Sequence, residues 1–214
     1  MKPLPKRIFV TGIGTGVGKT MVSAVLAEAL EADYWKPIQC GNLDNSDTLT
    51  VKSLISNSIS QIHPEAYRLK TASSPHYAAQ AESVQIDIEK CFLPITNHSL
   101  IIEGAGGLMV PLNSNDCVAD LISALNVPVV LICRNYLGSI NHTLLSITLL
   151  KQKGIKLLGL IFSGDNYLDN EEVIQHFGQV SIIGRIDEAT HIDKEFIRQQ
   201  ALKLKKSLSK HYSL

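Results

Sequence analysis

The sequence predicts an α/β fold: a mostly parallel sheet with helices on both faces. Three observations lead there. Short apolar runs rich in Val, Ile and Leu recur along the chain, amphipathic stretches separate them, and two glycine-rich turns follow the ends of such runs. Near-continuous apolar strands belong to parallel sheets buried on both sides. Strand–helix alternation implies an open sheet whose ligands bind beyond the carboxyl ends of the strands.

Residues 7–11 form the first expected strand, ending at a glycine turn. Residues 20–30 form a helix with Val22, Val25, Leu26 and Ala29 on one face. A strand over 34–36 follows, then a polar, turn-rich segment, 41–60, read as a loop and a short helix. Residues 100–103 and 128–133 are strands, and the helix between them places Val118, Leu121, Ile122 and Leu125 at i, i+3, i+4 and i+7. A helix over 140–153 ends in Lys151 and Lys153 and stops at Gly154. Strands over 157–162 and 180–184 and a helix over 193–206 complete the order. No repeat, low-complexity segment or domain boundary is visible, so one domain over residues 1–214 is expected.

The 20 basic and 20 acidic residues cancel, leaving no long-range field to attract nucleic acid or an anionic membrane. The apolar run Ile8-Phe9-Val10 is too short for a signal peptide, and no stretch approaches a membrane span. A soluble cytoplasmic protein is expected. Cys40, Cys91, Cys117 and Cys133 form no CxxC pair, so no zinc or redox motif is visible. Cys133, within an apolar run, reads as a buried thiol.

Gly12-Ile13-Gly14-Thr15-Gly16-Val17-Gly18-Lys19-Thr20 follows a strand and opens a helix, the context a P-loop requires. Glycines let backbone N–H groups turn inward around phosphate oxygens, and the helix N-terminus adds its positive end. Lys19 suits the β- and γ-phosphates, and the Thr20 hydroxyl suits Mg²⁺. Five residues separate Gly12 from Gly18, one more than the usual four. A second strand ends in Glu103-Gly104-Ala105-Gly106-Gly107, where a carboxylate would serve the magnesium. Asp47 reads locally as a helix cap, with a metal role as the alternative. Lys36, ending the second strand, points to the phosphate site or, read alone, to a solvated surface charge.

Taken together, these motifs resemble the dethiobiotin synthetase family. The matching segments are Val10-Thr11-Gly12 through Gly18-Lys19-Thr20, Lys36-Pro37, Asn45-Ser46-Asp47, Ser74-Pro75-His76, Glu103 to Gly107 with Pro111-Leu112, and Leu137-Gly138-Ser139-Ile140-Asn141-His142. They stand in the family's order. The resemblance implies a P-loop NTPase fold and an ATP- and Mg²⁺-dependent carboxylation of 7,8-diaminononanoate by CO₂. A carbamate and a carbamic–phosphoric anhydride would lead to ring closure, giving dethiobiotin, ADP and phosphate. It implies catalytic roles for Lys19, Lys36 and Thr15, the last bonded to the carbamate. Nucleotide contacts would come from Gly14, Thr15, Gly16, Val17, Gly18, Lys19, Thr20, Glu103, Gly106, Gly107 and Ser163. The metal would be held by Thr20, Asp47 and Glu103. Substrate contacts would come from Thr15, Lys36, Cys40, Gly107, Gly138, Ser139 and Asn141. The segment from Gly138 would be supplied by a neighbouring subunit, which implies a homodimer. Read without the resemblance, Asn141 is an ordinary cap near a helix start.

The chain departs from the family pattern in places. Cys40 stands where a hydroxyl residue is common, and cysteine is a weaker donor. Gly16 replaces a bulkier, often acidic residue. Ser163 replaces an adenine-reading asparagine, and Arg185-Ile186-Asp187 lacks the usual Ile-Pro turn, so loose base selectivity is expected. The main competing reading is a P-loop switch ATPase of the partitioning or positioning type. Such proteins carry an early second lysine in the loop, where this chain has Ile13 and Gly14.

Overall fold

The computed structural model describes residues 1–165 and 167–214. In chain order the elements are β1 (Lys2–Pro3), β2 (Arg7–Gly12), α1 (Lys19–Leu30), β3 (Asp33–Trp35), β4 (Ile38–Cys40), α2 (Asp47–Leu54), β5 (Ile62–His63), β6 (Tyr67–Leu69) and α3 (Pro75–Ala81). They continue with β7 (Leu100–Gly107), α4 (Val118–Leu125), β8 (Val129–Cys133), α5 (Ser139–Gln152), β9 (Leu157–Ser163), α6 (Leu168–Gly178), β10 (Ile182–Ile186), α7 (Lys194–Leu208) and β11 (Tyr212–Ser213).

Among the described residues, seven strands form one sheet in the order β10-β9-β8-β2-β7-β3-β5, and its pairings are all parallel. The expected α/β class is the one observed. Side chains alternate across the sheet with a period of two. Ile8, Val10 and Ile101 meet Val25, Leu26, Ile197 and Leu204 of α1 and α7 on one face. Phe9, Leu100 and Ile102 meet Ile122 of α4 on the other, and Leu131, Leu160 and Phe162 pack with Ile147 and Ile174 of α5 and α6.

Register positions the site. β2 lies between β7 and β8, with Val10 opposite Glu103 and Gly12 opposite Gly107. β3 lies on the far side of β7, with Trp35 opposite Ile102. All three strands run the same way, so the turns after Gly12, Trp35 and Glu103 leave from one edge of the sheet.

The differences from the sequence reading are local. Lys36 lies one residue beyond β3, and β7 stays extended through its glycines to Gly107. β10 begins two residues later than the apolar run suggests, because Val180 packs into the core while pairing starts at Ile182. The sequence reading has no counterpart for α3 or α6. α3 is only seven residues long, and the acidic first turn of α6 masks its periodicity. Gly154, at φ 65°, follows the end of α5 as a left-handed stop. Cys133 is fully buried, and that burial pushes its thiol up to about 12.

Candidate active site

After β2, residues 13–18 fold back over the strand end before α1 begins at Lys19. Gly16 and Gly18 have φ of 74° and 94°, a region glycine enters without a Cβ clash. Gly18 has a second reason to be glycine: a Cβ there would lie 2.5 Å from Ser163 Oγ. Gly18 is also the N-cap of α1 and offers no side chain to the first-turn N–H groups. Those donors and the helix dipole suit an anion. Lys19 Nζ donates to Gly14 O at 2.8 Å. Burial pushes its pKa down to about 8, with Glu103 pulling the other way.

The neighbouring turns bring their side chains to the first turn of α1. Thr20 Oγ1 lies 2.8 Å from Asp47 Oδ1 and 2.9 Å from Glu103 Oε1. Lys36 Nζ lies 2.9 Å from Asp47 Oδ2 and 3.2 Å from Glu103 Oε1. Tyr34 OH donates to Glu103 Oε2 at 2.9 Å. Burial pushes the Lys36 pKa down, but Glu103 and Asp47 outweigh it and the net shift is upward. Burial pushes Asp47 up, but Lys36, the Thr20 hydroxyl and Lys19 outweigh it and the net shift is downward. Burial and then the Glu103 charge hold the Tyr34 phenol well above its ordinary value. It is therefore a donor.

Asp47 does not cap α2. Ser46 does, accepting from Leu49 N at 3.3 Å, and this frees the Asp47 carboxylate to face Thr20 and Lys36. The Asp47 backbone is also held, its N–H donating to Gln39 Oε1 at 3.4 Å.

The Thr20 hydroxyl has one proton for two carboxylate oxygens. Such an oxygen-rich cluster is the donor set of a hard cation. Neighbouring ligands around octahedral Mg²⁺, each 2.0–2.1 Å from it, are roughly 2.9 Å apart. The separations of Thr20 from Asp47 and Glu103 fit that spacing. Among the described residues there is no group of three or more His, Cys, Asp or Glu side chains that could hold a metal. A site with two carboxylates and a hydroxyl suits Mg²⁺, which takes its remaining ligands from phosphate and water.

Thr15, Gly16, Gly18, Lys19, Thr20, Lys36, Cys40, Asp47, Glu103 and Gly106 all border one cleft of about 760 Å³. Burial pushes the Cys40 thiol up to about 11, so it stays a neutral, weak donor. Val17 is buried beneath the loop. Gly107 packs on the P-loop backbone, where its Cβ would lie 3.4 Å from Gly12 O. Gly14, Thr15 and Gly107 border a second, largely apolar concavity of about 740 Å³ with Met109, His142 and Leu145. Gly138, Ser139 and Asn141 lie outside the lining of the first cleft. Gly138 caps α5 at φ 99°, Ser139 is buried, and Asn141 is exposed on the first turn. Ser163, at the end of β9, abuts Gly18.

Tyr34 and Gln39 escape sequence reading. Tyr34 acts through a partner 69 residues away and Gln39 through one eight residues away, and no sequence motif marks either. The register of β3 against β7 is the signal that finds Tyr34, and it exists only once the sheet is built.

The parallel sheet and the loop between β2 and α1 define a P-loop NTPase. A family model described as an AAA domain matches residues 6–195. The protein named ATP-dependent dethiobiotin synthetase BioD from Christiangramia forsetii is 51% identical over 205 residues, covering 96% of this chain and 99% of its own. The protein of that name from Cytophaga hutchinsonii is 46% identical, covering 93% of this chain and 97% of its own. The chain belongs to the ATP-dependent dethiobiotin synthetase family. Among solved structures, the cell-division ATPase MinD of Pyrococcus furiosus superposes with a TM-score of 0.59 at 16% identity, covering 96% of this chain and 99% of its own. A ParA family ATPase from Chlorobium tepidum gives 0.55 at 15% identity, covering 97% of each chain. At these identities the likeness is one of fold alone.

Proposed function

We propose that this enzyme converts 7,8-diaminononanoate, CO₂ and ATP to dethiobiotin, ADP and phosphate. One observation supports this reading above the others. Lys19 and Lys36 border the same cleft, together with Thr20, Asp47 and Glu103, in a chain 51% identical to a named dethiobiotin synthetase.

One amine of the substrate takes up CO₂ and becomes a carbamate. A carbamate oxygen then attacks the γ-phosphorus of ATP, and ADP leaves. Two anions must approach, so cations govern the barrier. Lys19 faces the phosphates, and Lys36 offsets charge on the carbamate side. Thr15 and Cys40 border the cleft where the carbamate would lie, and P-loop N–H groups would hold the phosphates. Thr20, Asp47 and Glu103 would hold Mg²⁺, which when bound neutralises charge on the β- and γ-phosphates. The second amine attacks the carbonyl carbon of the anhydride, the urea ring closes, and phosphate departs with the former carbamate oxygen. Positioning supplies much of the rate, and no covalent enzyme nucleophile is needed.

Ser163 is the proposed base-side contact, and a single hydroxyl gives it little power to discriminate between bases. The proposed partner is a second copy of this chain. The concavity beside the P-loop exposes Met109 (66%) and Leu145 (60%), a face suited to burial in a dimer. Gly138, Ser139 and Asn141 would reach the substrate carboxylate across that interface. One domain over residues 1–214 and a cytoplasmic location complete the reading; among the described residues no helix is long and apolar enough to cross a membrane.

The mechanism is tested with ¹⁸O-labelled bicarbonate. The expected result is one ¹⁸O in the released phosphate for each turnover. Unlabelled phosphate, formed with labelled CO₂ in the product urea, would exclude the anhydride route.

A further inference from the structure

We propose that Tyr34 is a positioning residue: its hydrogen bond to Glu103 Oε2 turns the other carboxylate oxygen toward Thr20 and Lys36. The inference rests on the reading of Glu103 as a metal-site residue.

The two oxygens of Glu103 are in different surroundings. Oε1 faces Thr20 Oγ1 at 2.9 Å and Lys36 Nζ at 3.2 Å. Oε2 receives Tyr34 OH at 2.9 Å. A glutamate's terminal torsion is broad and nearly two-fold, so the side chain alone does not choose which oxygen faces the site. Tyr34 makes that choice, because its own position is fixed. It is 0% exposed and packs within the core that holds Val25, Val51 and Ile101. Strand alternation sends Trp35 into the opposite apolar layer, which leaves Tyr34 on the face of β3 toward α1. The ring fills core space while its hydroxyl reaches a carboxylate that is 1% exposed.

Two roles are separable. As core filler, Tyr34 would matter through its ring. As a positioning residue, it matters through one oxygen and only while Glu103 is a carboxylate. Groups that orient ligating carboxylates affect metal affinity by roughly 10-fold to 100-fold when removed.

The test is Mn²⁺ titration of the purified protein with ADP, read by electron paramagnetic resonance, for wild type, Tyr34→Phe, Glu103→Gln and the double variant. Tyr34→Phe should fold, with a melting temperature lower by several degrees because Glu103 Oε2 loses its buried donor, and its Mn²⁺ Kd should rise roughly 10-fold. Its kcat should recover at saturating Mg²⁺, with the KM for the diamine unchanged. Adding Tyr34→Phe to Glu103→Gln should cause no further loss. If Glu103→Gln weakens Mn²⁺ binding and Tyr34→Phe does not, the positioning role is overturned and the metal-site reading stands. If Glu103→Gln leaves Mn²⁺ binding unchanged, the metal-site reading itself fails. A Tyr34→Phe protein that cannot fold also overturns the proposal, since loss of an orienting hydroxyl leaves the ring to fill the core.

Discussion

The Lys36 ammonium lies 3.2 Å from the Glu103 carboxylate, and the two side chains are 5% and 1% exposed. Charges this deeply buried are tolerated because each compensates the other. Lys36→Ala would leave Glu103 and Asp47 facing one another across Thr20 without the cation that contacts both. Breaking a buried pair from one side costs about 3–5 kcal/mol. The variant should lose about that much unfolding free energy in urea, and millimolar Mg²⁺ should restore part of it. Product formation should fall far more than ADP affinity. Unchanged stability and turnover would remove Lys36 from the site.

Burial lowers the Lys19 pKa to about 8 in the nucleotide-free enzyme. Its folded pKa lies below its unfolded one, so the unfolded chain binds more protons between about 8 and 10.5 and this residue's contribution to stability rises with pH there. ATP favours charged Lys19, so binding has the opposite dependence. Affinity should weaken about five-fold between pH 8 and 9, with proton uptake on binding. Calorimetry in buffers of different ionisation enthalpy measures that uptake. Lys19→Arg, which cannot deprotonate, should abolish it.

Asp33 anchors the opposite end of β3. Its carboxylate accepts from Gln61 N at 2.9 Å and contacts His63 Nε2 and His98 Nδ1, each at 2.9 Å. Burial alone would raise its pKa, but hydrogen bonds from Thr96, Gln61, His98 and His63 outweigh it and hold Asp33 at about 2. A depressed folded pKa means stability that is full above about 4 and lost as pH falls toward 2. Asp33→Asn should lower stability by about 2 kcal/mol at pH 7 and flatten the acid limb of the stability–pH curve. Urea unfolding between pH 2 and 7 provides the check.

The proposed dimer divides each site between two chains. Asn141→Ala should raise the diamine KM and leave ATP affinity unchanged. Mixing and refolding it with Lys36→Ala should restore about one quarter of wild-type sites, since random pairing makes half the dimers mixed and each mixed dimer has one intact site. Complementation should accompany a dimeric mass by light scattering. A monomer at assay concentration would contradict the division.

The central strands and the P-loop are legible in the sequence because their signals are local. Ile8-Phe9-Val10 is a buried run, and Gly12 to Thr20 has its glycines, lysine and hydroxyl within one turn. Glu103 is legible for the same reason. Asp47 is only half legible: the sequence marks a helix start, but the neighbouring Ser46 takes the cap and frees the carboxylate for Thr20, 27 residues earlier. Tyr34 is not legible, because its partner lies 69 residues away across a strand pair. Strands of two or three residues such as β5 and β6 are too short to show a period.

In the proposed reaction a single cleft joins ATP to a carboxylated diamine. Incubating the wild-type enzyme with diaminononanoate, bicarbonate, Mg²⁺ and ATP, CTP or GTP, while measuring phosphate and product mass, tests it directly. The expected result is one phosphate per dethiobiotin, dependence on all components, and no product from Lys19→Ala. Nucleotide hydrolysis that ignores the diamine and bicarbonate, with no dethiobiotin formed, would contradict it.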